Sequence, residues 1–458
     1  MNKFTSLILL ILLGLGSAFA QEPAPEPLTL QQCIAIALEN NSTLRVAHKS
    51  MEIAGTNVTT ATAAWLPQIN SSFNTGRYIQ GARVDIADVP TGIDPVTGRT
   101  IYTQQEIYQE QTERNNHSAR ISLNQNIFDF GQTLYSIKSA KANKQASAQT
   151  MENTRQMVIY NVKDAYYNLL KAIKLEQVYQ EAVRLAEEEV QRAQTMMEIG
   201  ISSQSEVFQA RVTLGSSRST LINQQNTVDA ARADLNNALG RNPDIPVSVR
   251  EDESQPIFPA ITFADAANEA IKNNAALKAY EYQSRASLFN LKMAQMRYAP
   301  SIGGSISYGR SNEDLSRVFS SNLDQDFSAT LGVGIDLNIF NGLSDKAGVQ
   351  RAKLNYQIDE ENLAEQKRLL TAQVKQYFLQ LEAYKDFIEI NQQNIEAARE
   401  NLRLQQEKRR VGSGTELEVT QAQVELTRAQ ANLVNAEYEA KIARARLETA
   451  MGAAEAGL

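Results

Sequence analysis

The most regular alternation of apolar and polar residues in the chain runs from Phe327 to Ile339. Its polar positions are Ser, Thr, Gly, Asp and Asn, so this segment is predicted to be a strand with one wholly apolar face. A similar alternation ends near Ile127, and weaker ones begin at Gln68 and Ser301. Two hairpins are therefore predicted, with strands at 68–79 and 117–129 and at 301–309 and 327–340. The side chains predicted to form the apolar faces are Ile121, Leu123, Ile127, Leu331, Val333, Ile335, Leu337 and Ile339.

The residues before each hairpin are predicted to form a helix that ends at a proline. Pro67 and Pro300 cannot continue a helix and favour an extended residue before them, so both mark a change from helix to strand. Trp65 and Tyr298 each lie two residues before one of these prolines. The segments inside the hairpins, about 80–116 and 310–326, are polar and contain turn formers, and we predict loops there.

A long helix is predicted after each hairpin, at about 132–197 and 344–410, because both stretches are free of Pro. At 1.5 Å per residue, each helix is on the order of 100 Å long. Gly200 and Gly412 then interrupt the chain, and each is followed by a second helix. The apolar residues of these second helices are spaced three and four apart, as in a coiled coil. Many of them are Ala, which allows helices to approach closely.

Several motifs occur twice in the same order. Ala37–Leu44 matches Ala270–Leu277, Asn126-Ile127-Phe128 matches 338–340, and Gly200 matches Gly412. We therefore predict two structural repeats, at 21–240 and 261–452. Each repeat contains a helix, a hairpin (68–129 or 301–340), a long helix, a tip turn (198–206 or 411–418) and a helix. A linker at 241–260 joins the repeats, and a tail follows at 453–458.

Residues 1–20 have the layout of a secretory signal peptide, with Lys3, an apolar stretch from Leu7 to Leu15 and a small residue at Ala20. Cleavage after Ala20 is predicted, because the apolar stretch is shorter than the roughly 20 residues that span a bilayer as a helix. The rest of the chain contains no run of 18 apolar residues. If the exported protein enters a membrane, it must therefore do so by strands.

Four strands cannot close a barrel, and an open sheet edge in hydrocarbon leaves backbone groups unpaired. Closure therefore requires further copies of the chain. Two copies would give a narrow barrel, whereas three would give twelve strands and a wider lumen. The apolar strand faces would then meet lipid. Trp65 and Tyr298 would suit the aromatic belt at the bilayer boundary, and packing of Trp65 within the helix junction is the alternative.

Composition argues against several classes of function. One Cys and two His argue against a disulfide framework and against a zinc or iron site, and we expect no cofactor. The 45 Lys and Arg residues are outnumbered by 52 Asp and Glu, for a net charge of −7, which argues against nucleic-acid binding. No phosphate-binding or nucleophile-elbow motif occurs, so the protein is predicted not to be an enzyme. A trimeric structural stalk or adhesin of the cell surface is the alternative to a channel.

The order of these parts resembles the TolC-type outer-membrane efflux family, the outer membrane factors, over essentially the whole mature chain. The resemblance rests on Trp65-Leu66-Pro67, on Asn126-Ile127-Phe128-Asp129 with its partner at 338–341, and on residues 411–419. It implies a homotrimer with a twelve-stranded β-barrel in the outer membrane of a Gram-negative bacterium, continuous with a long α-helical coiled-coil tunnel in the periplasm. It also implies an exit channel for efflux or type I secretion, which docks to a periplasmic adaptor protein and an inner-membrane pump or ABC transporter.

In the family that the chain resembles, the periplasmic gate lies at the helix turns. The corresponding residues here are Gly200, Ser203, Glu206, Arg409, Arg410, Gly412, Gly414, Thr415, Glu418 and Gln421. Family members often carry two acidic rings there, and Glu418 matches the first whereas Gln421 stands at the second. An Arg that helps hold the gate shut in well-known family members matches Gly414 here. Arg409 and Arg410 lie one turn earlier and could replace its ionic role. The runs 203–206 and 415–418 also fit the capping box. Their glutamates could therefore cap a helix, attract cations at the gate, or do both.

Overall fold

The computed structural model describes residues 27–251, 258 and 260–454. The predicted signal peptide and part of the predicted linker lie outside the described residues. The helices are α1 Leu30–Asn40, α2 Ser42–Ala63, α3 Gln132–Glu198, α4 Gln204–Ala238, α5 Phe263–Asn273, α6 Ala275–Gln295, α7 Leu315–Val318, α8 Ser344–Arg410 and α9 Glu416–Ala450. The strands are β1 Gln68–Gln80, β2 Arg83–Ile93, β3 Thr100–Gln109, β4 Thr112–Phe128, β5 Ser301–Asn312 and β6 Phe327–Asp336.

The long helices occur where the sequence predicts them. Helices α3 and α8 each contain 67 residues, and α4 and α9 each contain 35. In the described part of the chain, no helix is both long and apolar enough to cross a membrane.

The chain divides into two compact units, and the first comprises the described residues up to Met51, Ala146–Tyr280 and those from Asn362 onward. Its core has two main clusters. In one, α1 packs on α3 and α4 around Cys33, Tyr166 and Leu235. In the other, α5 packs on α8 and α9 around Ala270 and Leu447. The small residues predicted to line the seam of α9 are largely buried there, which explains how several helices approach it closely.

The helix that follows each long helix turns back and packs along it. Ala193 of α3 packs with Val207 and Ala210 of α4. In the second pair, Leu402 of α8 packs with Val419 and Leu426 of α9. These contacts place the two tip turns at the ends of the helix pairs.

Paired asparagines separate the short helices of this unit from the helices that follow. The side-chain Oδ1 of Asn274 accepts a hydrogen bond from Leu277 N at 2.9 Å, and its Nδ2 donates to Ala450 O at 3.0 Å. Asn41 makes the matching bonds with Leu44 N and Ala238 O. Each side chain therefore caps the start of one helix and binds the end of another.

The second unit, Glu52–Gln145 and Glu281–Glu361, contains a four-stranded antiparallel sheet in the order β1-β4-β5-β6. Residues that pair across the ladders lie on the same face of the sheet. One such row is Ile69, Leu123, Ile306 and Leu331, and the opposite face carries the row Asn70, Ser122, Ser307 and Thr330. One face is therefore predominantly apolar, and the other is built mainly from Ser, Thr, Asn, Gln and Gly.

A β-bulge between Asn126 and Phe128 shifts the register of β4 against β5. Ile127 is the additional residue, and its Cδ1 lies 3.1 Å from the position that a Cβ on Gly304 would occupy. Ile127 therefore covers a glycine of the apolar face.

The prediction of a loop at 80–116 is wrong. Strands β2 and β3 form a second, two-stranded sheet within this segment. Pro90, one of the turn formers on which the loop prediction rests, lies in an edge strand beside an irregularity in the ladder, where its missing N–H is tolerated. The predicted loop at 310–326 likewise contains α7.

Three strand boundaries differ from the prediction by three residues or more. Strand β5, predicted to end at 309, continues to Asn312. Strand β4 begins at Thr112 because Gln80 of β1 pairs with it. Strand β6 ends at Asp336, which pairs with Ser301 at the start of β5. Pro300 precedes Ser301 and has no N–H to extend the ladder, so Leu337 and Ile339 lie beyond the strand in which they were predicted.

The two Asn-Ile-Phe motifs stand where a strand passes into a long helix. After the first, the Asp129 carboxylate accepts hydrogen bonds from Thr133 N at 2.8 Å and from Asn126 Nδ2 at 3.0 Å. After the second, Asn341 Oδ1 accepts from Asp345 N at 3.3 Å. The residue after each motif, Asp129 or Asn341, therefore caps the helix that follows.

Candidate functional site

The candidate site is the pair of tip turns, which open on Gly200 and Gly412. Their φ angles are +78° and +81°, a conformation that costs residues with a Cβ about 1–2 kcal/mol. The amides that follow, Ile201 N and Ser413 N, donate to the carbonyls of Met196 and Lys408 at 2.9 Å. These bonds close the ends of α3 and α8.

Gly414 allows the second tip turn to pack against the end of α8. A Cβ at this position would lie 2.9 Å from Arg409 N and 3.1 Å from Lys408 Cβ. Only glycine fits without a shift of the backbone. The position that would carry an Arg by family resemblance therefore has a steric role here.

Helix α9 begins with a complete capping box. Glu418 N donates to Thr415 Oγ1 at 3.3 Å, and Thr415 N donates to Glu418 Oε2 at 2.8 Å. The bond from the Thr415 backbone N–H, supported by the Thr415 hydroxyl, lowers the pKa of the Glu418 carboxyl. The capping prediction is confirmed for this turn, and the exposed carboxylate also keeps its charge at lower pH than a free glutamate.

The capping box predicted at the first turn is only half formed. Ser203 Oγ accepts a hydrogen bond from Glu206 N at 3.4 Å. The Glu206 carboxylate, however, accepts from Ser202 Oγ at 2.6 Å instead of reaching back to the Ser203 amide. The neighbouring hydroxyl therefore takes the place of the reciprocal bond.

Arg409 joins the two helix pairs through a buried ionic cluster. Its Nη1 lies 2.5 Å from Oε1 of Glu189 in α3, and the guanidinium also contacts the carboxylate of Glu416 at the start of α9. Glu189 and Glu416 are 3% and 4% exposed. Glu189 also pairs with Arg192, at 2.6 Å. Removing Arg409 would therefore leave the buried Glu416 carboxylate without a cation, at a cost of about 3–5 kcal/mol.

The other predicted tip residues lie outside this cluster. Arg410 is exposed and pairs with Glu407, one turn earlier on its own helix, at 2.9 Å. Gln421 is exposed on α9. Of the two arginines proposed to replace the family's Arg, only Arg409 therefore reaches another helix pair.

Glu189 and Glu416 were missed as site residues. Glu189 belongs to the run Glu187-Glu188-Glu189, which reads as a solvated helix face. Its spacing from Ala186 and Ala193, which are 4% and 0% exposed, places it on the buried stripe of α3. That spacing was the available signal.

The predicted junction residues lie at the start of the sheet. Trp65 and Tyr298 are 47% and 53% exposed. The Trp65 carbonyl accepts a hydrogen bond from Gln125 Nε2 of β4 at 2.6 Å. The backbone before Pro67 is thus tied to the sheet, while both aromatic side chains keep exposed surface.

Comparison with known proteins identifies the class of protein. The family model described as outer membrane efflux protein matches residues 33–241 and 266–453. The outer membrane efflux protein BepC of Brucella suis biovar 1 (strain 1330) is 26% identical over 332 residues, which is 71% of this chain and 63% of BepC. The chain therefore spans somewhat less than two thirds of the length of this relative.

Solved structures share the fold. CusC, whose crystal structures concern folding and transmembrane channel formation, matches with a TM-score of 0.78 at 18% identity over 92% of both chains. The outer membrane protein VceC of Vibrio cholerae matches with a TM-score of 0.73 at 18% identity, over 92% of this chain and 96% of VceC.

The fold is that of these solved outer membrane proteins. Because the family model matches most of its length, the chain belongs to the outer membrane efflux protein family. The resemblance and the outer-membrane location predicted from the sequence are confirmed. The alternative of a surface stalk or adhesin receives no support.

Proposed function

We propose that three copies of the chain form an exit channel in the outer membrane. The channel passively conducts substrates from a periplasmic adaptor and an inner-membrane pump or ABC transporter to the exterior, and performs no chemistry of its own. The observation that carries this proposal is the sheet β1-β4-β5-β6, which has one apolar face, one polar face and two edges, β1 and β6, that pair with no other strand of the described chain. Three such sheets would close a twelve-stranded barrel, with apolar faces toward lipid and polar faces toward the lumen.

The helices support an assembly of several copies. Large apolar side chains are exposed on α4 and α8, including Phe208, Val212, Leu379 and Phe387, which are 53%, 67%, 52% and 51% exposed. Neighbouring copies would cover such side chains in a tube of helices. The equal lengths of α3 and α8, and of α4 and α9, support two repeats per chain and hence a pseudo-six-fold tunnel.

The tip turns would form the periplasmic gate and the docking site for the adaptor. The Arg409 cluster joins the α8–α9 pair to the α3–α4 pair, so opening by separation of these pairs would have to break it. We therefore assign Arg409, Glu189 and Glu416 as the ionic latch, and Glu206 and Glu418 as the acidic residues at the constriction.

Planar lipid bilayers test the proposed channel directly. The purified protein should insert as discrete, cation-preferring channels, because acidic residues at a constriction attract cations. Intact protein that inserts but carries no ionic current, both unmodified and with Arg409 replaced by alanine, would contradict the proposal.

Replacing Glu418 with Gln should lower the cation-to-anion permeability ratio while leaving folding intact. Helix α1 already uses Gln at the matching position of its capping box, where Thr29 N donates to Gln32 Oε1 at 2.8 Å, so the cap survives the change. A unit charge a few Å from an ion in water contributes about 1 kcal/mol, and the ratio should fall at least about twofold. Reversal potentials in a salt gradient give the ratio. Unchanged selectivity of intact trimers would leave Glu418 with the capping role alone.

Replacing Gly412 with Trp should abolish export while the barrel still inserts. The change combines strain at φ +81° with a bulky side chain at a position that has open space around it, where a docking partner would lie. Export in cells and the amount of protein in outer-membrane fractions give the two readouts. Gly412→Ala is the matched control, because it introduces the strain without the bulk. Normal export by the Trp variant would argue against docking at this turn.

A further inference from the structure

Most of the segment between β5 and β6, Asp314–Asp326, forms a strap that folds onto the apolar face of the sheet. Tyr308 and Arg310 lie on that face, since Tyr308 pairs with Ile121 and Ala329. The Tyr308 hydroxyl donates to Leu323 O at 2.5 Å. Side-chain bonds thus hold the strap on the face that the proposed barrel turns toward lipid.

Arg310 is the main anchor of the strap. Its Nη1 donates to Ser320 O at 2.6 Å and its Nε donates to Gln325 O at 3.2 Å. The residue is only 5% exposed. The strap therefore wraps a cation on the apolar face in backbone carbonyls, which keeps the charge away from its surroundings.

Aromatic and aliphatic contacts complete the attachment. The ring of Phe319 lies 5.4 Å from that of Phe73 in β1, centroid to centroid, and Val318 is 3% exposed. Leu315 and Leu323 are exposed, and Phe319 keeps most of its surface exposed beside Phe73. Leu315, Phe319 and Leu323 are 44%, 65% and 66% exposed. The strap therefore hides one polar group and presents a new apolar surface in its place.

The position of the strap along the strands corresponds to one edge of the membrane. Strand β5 begins at the helix junction, and Arg310 is nine residues beyond Ser301. At about 3.4 Å per residue and a tilt of about 40°, that separation is on the order of 23 Å along the barrel axis. The apolar band of an outer-membrane barrel is about 25 Å tall. Arg310 therefore stands at the outer boundary of the band, and Glu313, Asp314, Asp324 and Asp326 beside it mark where water begins.

We propose that the strap is a lipid-contacting segment that seats Leu315, Phe319 and Leu323 in the outer leaflet, at the boundary between acyl chains and headgroups. This inference rests on the proposed barrel. Lipid is the occupant that the surface fits, because these exposed side chains continue the apolar band of Leu331, Val333 and Ile335, which are 80%, 70% and 70% exposed. In water, exposing these apolar side chains over the buried Arg310 would not lower the free energy of the loop.

Single-tryptophan variants test the proposal in vesicles of brominated phosphatidylcholine. Trp65 is the chain's one tryptophan, so a Trp65→Phe background is silent. Three reporters are placed in it: Phe319→Trp in the strap, Leu331→Trp in the middle of the apolar face and Thr330→Trp beside it on the polar face. Bromine quenches tryptophan only on contact, and lipids brominated near the headgroup or near the chain ends distinguish shallow from deep positions.

We expect the fluorescence of Phe319→Trp to be quenched more by lipid brominated near the headgroup. The fluorescence of Leu331→Trp should be quenched more by lipid brominated near the chain ends. Thr330→Trp should stay unquenched. If Leu331→Trp is quenched and Phe319→Trp is not, the barrel stands and the strap proposal is overturned, either by water (red-shifted emission) or by a neighbouring copy (blue-shifted emission). If neither is quenched, the proposed barrel itself is contradicted.

Discussion

Replacing Arg409 with alanine should open the channel at its periplasmic tip and raise its single-channel conductance several-fold. The substitution removes the cation shared by Glu189 and Glu416, both of which are buried. Glu189 would keep its ion pair with Arg192 at 2.6 Å, but the buried Glu416 carboxylate would lose its cation, at a cost of about 3–5 kcal/mol. Separation of the α8–α9 pair from the α3–α4 pair would hydrate the Glu416 carboxylate and relieve that cost. Conductance of purified trimers in planar bilayers measures the effect.

Arg410→Ala is the matched control for this experiment. It removes the same charge from the adjacent position, but Arg410 is exposed and pairs only within its own helix turn, and such pairs contribute less than about 1 kcal/mol. Its conductance should equal that of the unmodified channel. Equal conductance of all three proteins, with intact trimers, would show that the Arg409 cluster does not restrain the tip.

Replacing Leu331 with arginine should prevent the protein from accumulating in the outer membrane. Leu331 is 80% exposed and pairs with Ile306 near the middle of the β5–β6 ladder. Arginine on the lipid face costs about 2–4 kcal/mol at the bilayer midplane, and the assembly would meet that cost once in each copy. Fractionation of cell envelopes and gel analysis of unheated trimers measure the loss.

The neighbouring change Thr330→Arg puts the same side chain on the opposite face of the same strand. It should leave insertion intact because that face would line the aqueous lumen. If the two variants insert equally well, the apolar face of the sheet does not contact lipid.

Long, regular elements were predictable from the sequence, since their periodicity extends over many residues. Helix α8 was predicted at 344–410 and occurs there. The strand boundaries were less predictable because a ladder ends where its partner ends. Neither the pairing of Asp336 with Ser301 nor that of Gln80 with Thr112 can be read from one strand alone. The β2–β3 hairpin was missed because proline is acceptable in an edge strand.

The candidate site was predictable only in its local parts. The cap of Thr415 and Glu418 lies within four residues of sequence and was predicted correctly. The Arg409 cluster joins residues 220 positions apart, and no local pattern gives that contact. The strap was missed for a similar reason, since the polar composition of 310–326 conceals that Arg310 turns its charge into the backbone of that same segment.

Native mass spectrometry of the detergent-solubilised protein tests most directly whether one sheet requires neighbours to complete it. We expect a complex of three copies, with no stable single chain after gentle removal of the detergent. A stable single copy that still inserts into bilayers and conducts ions would contradict it.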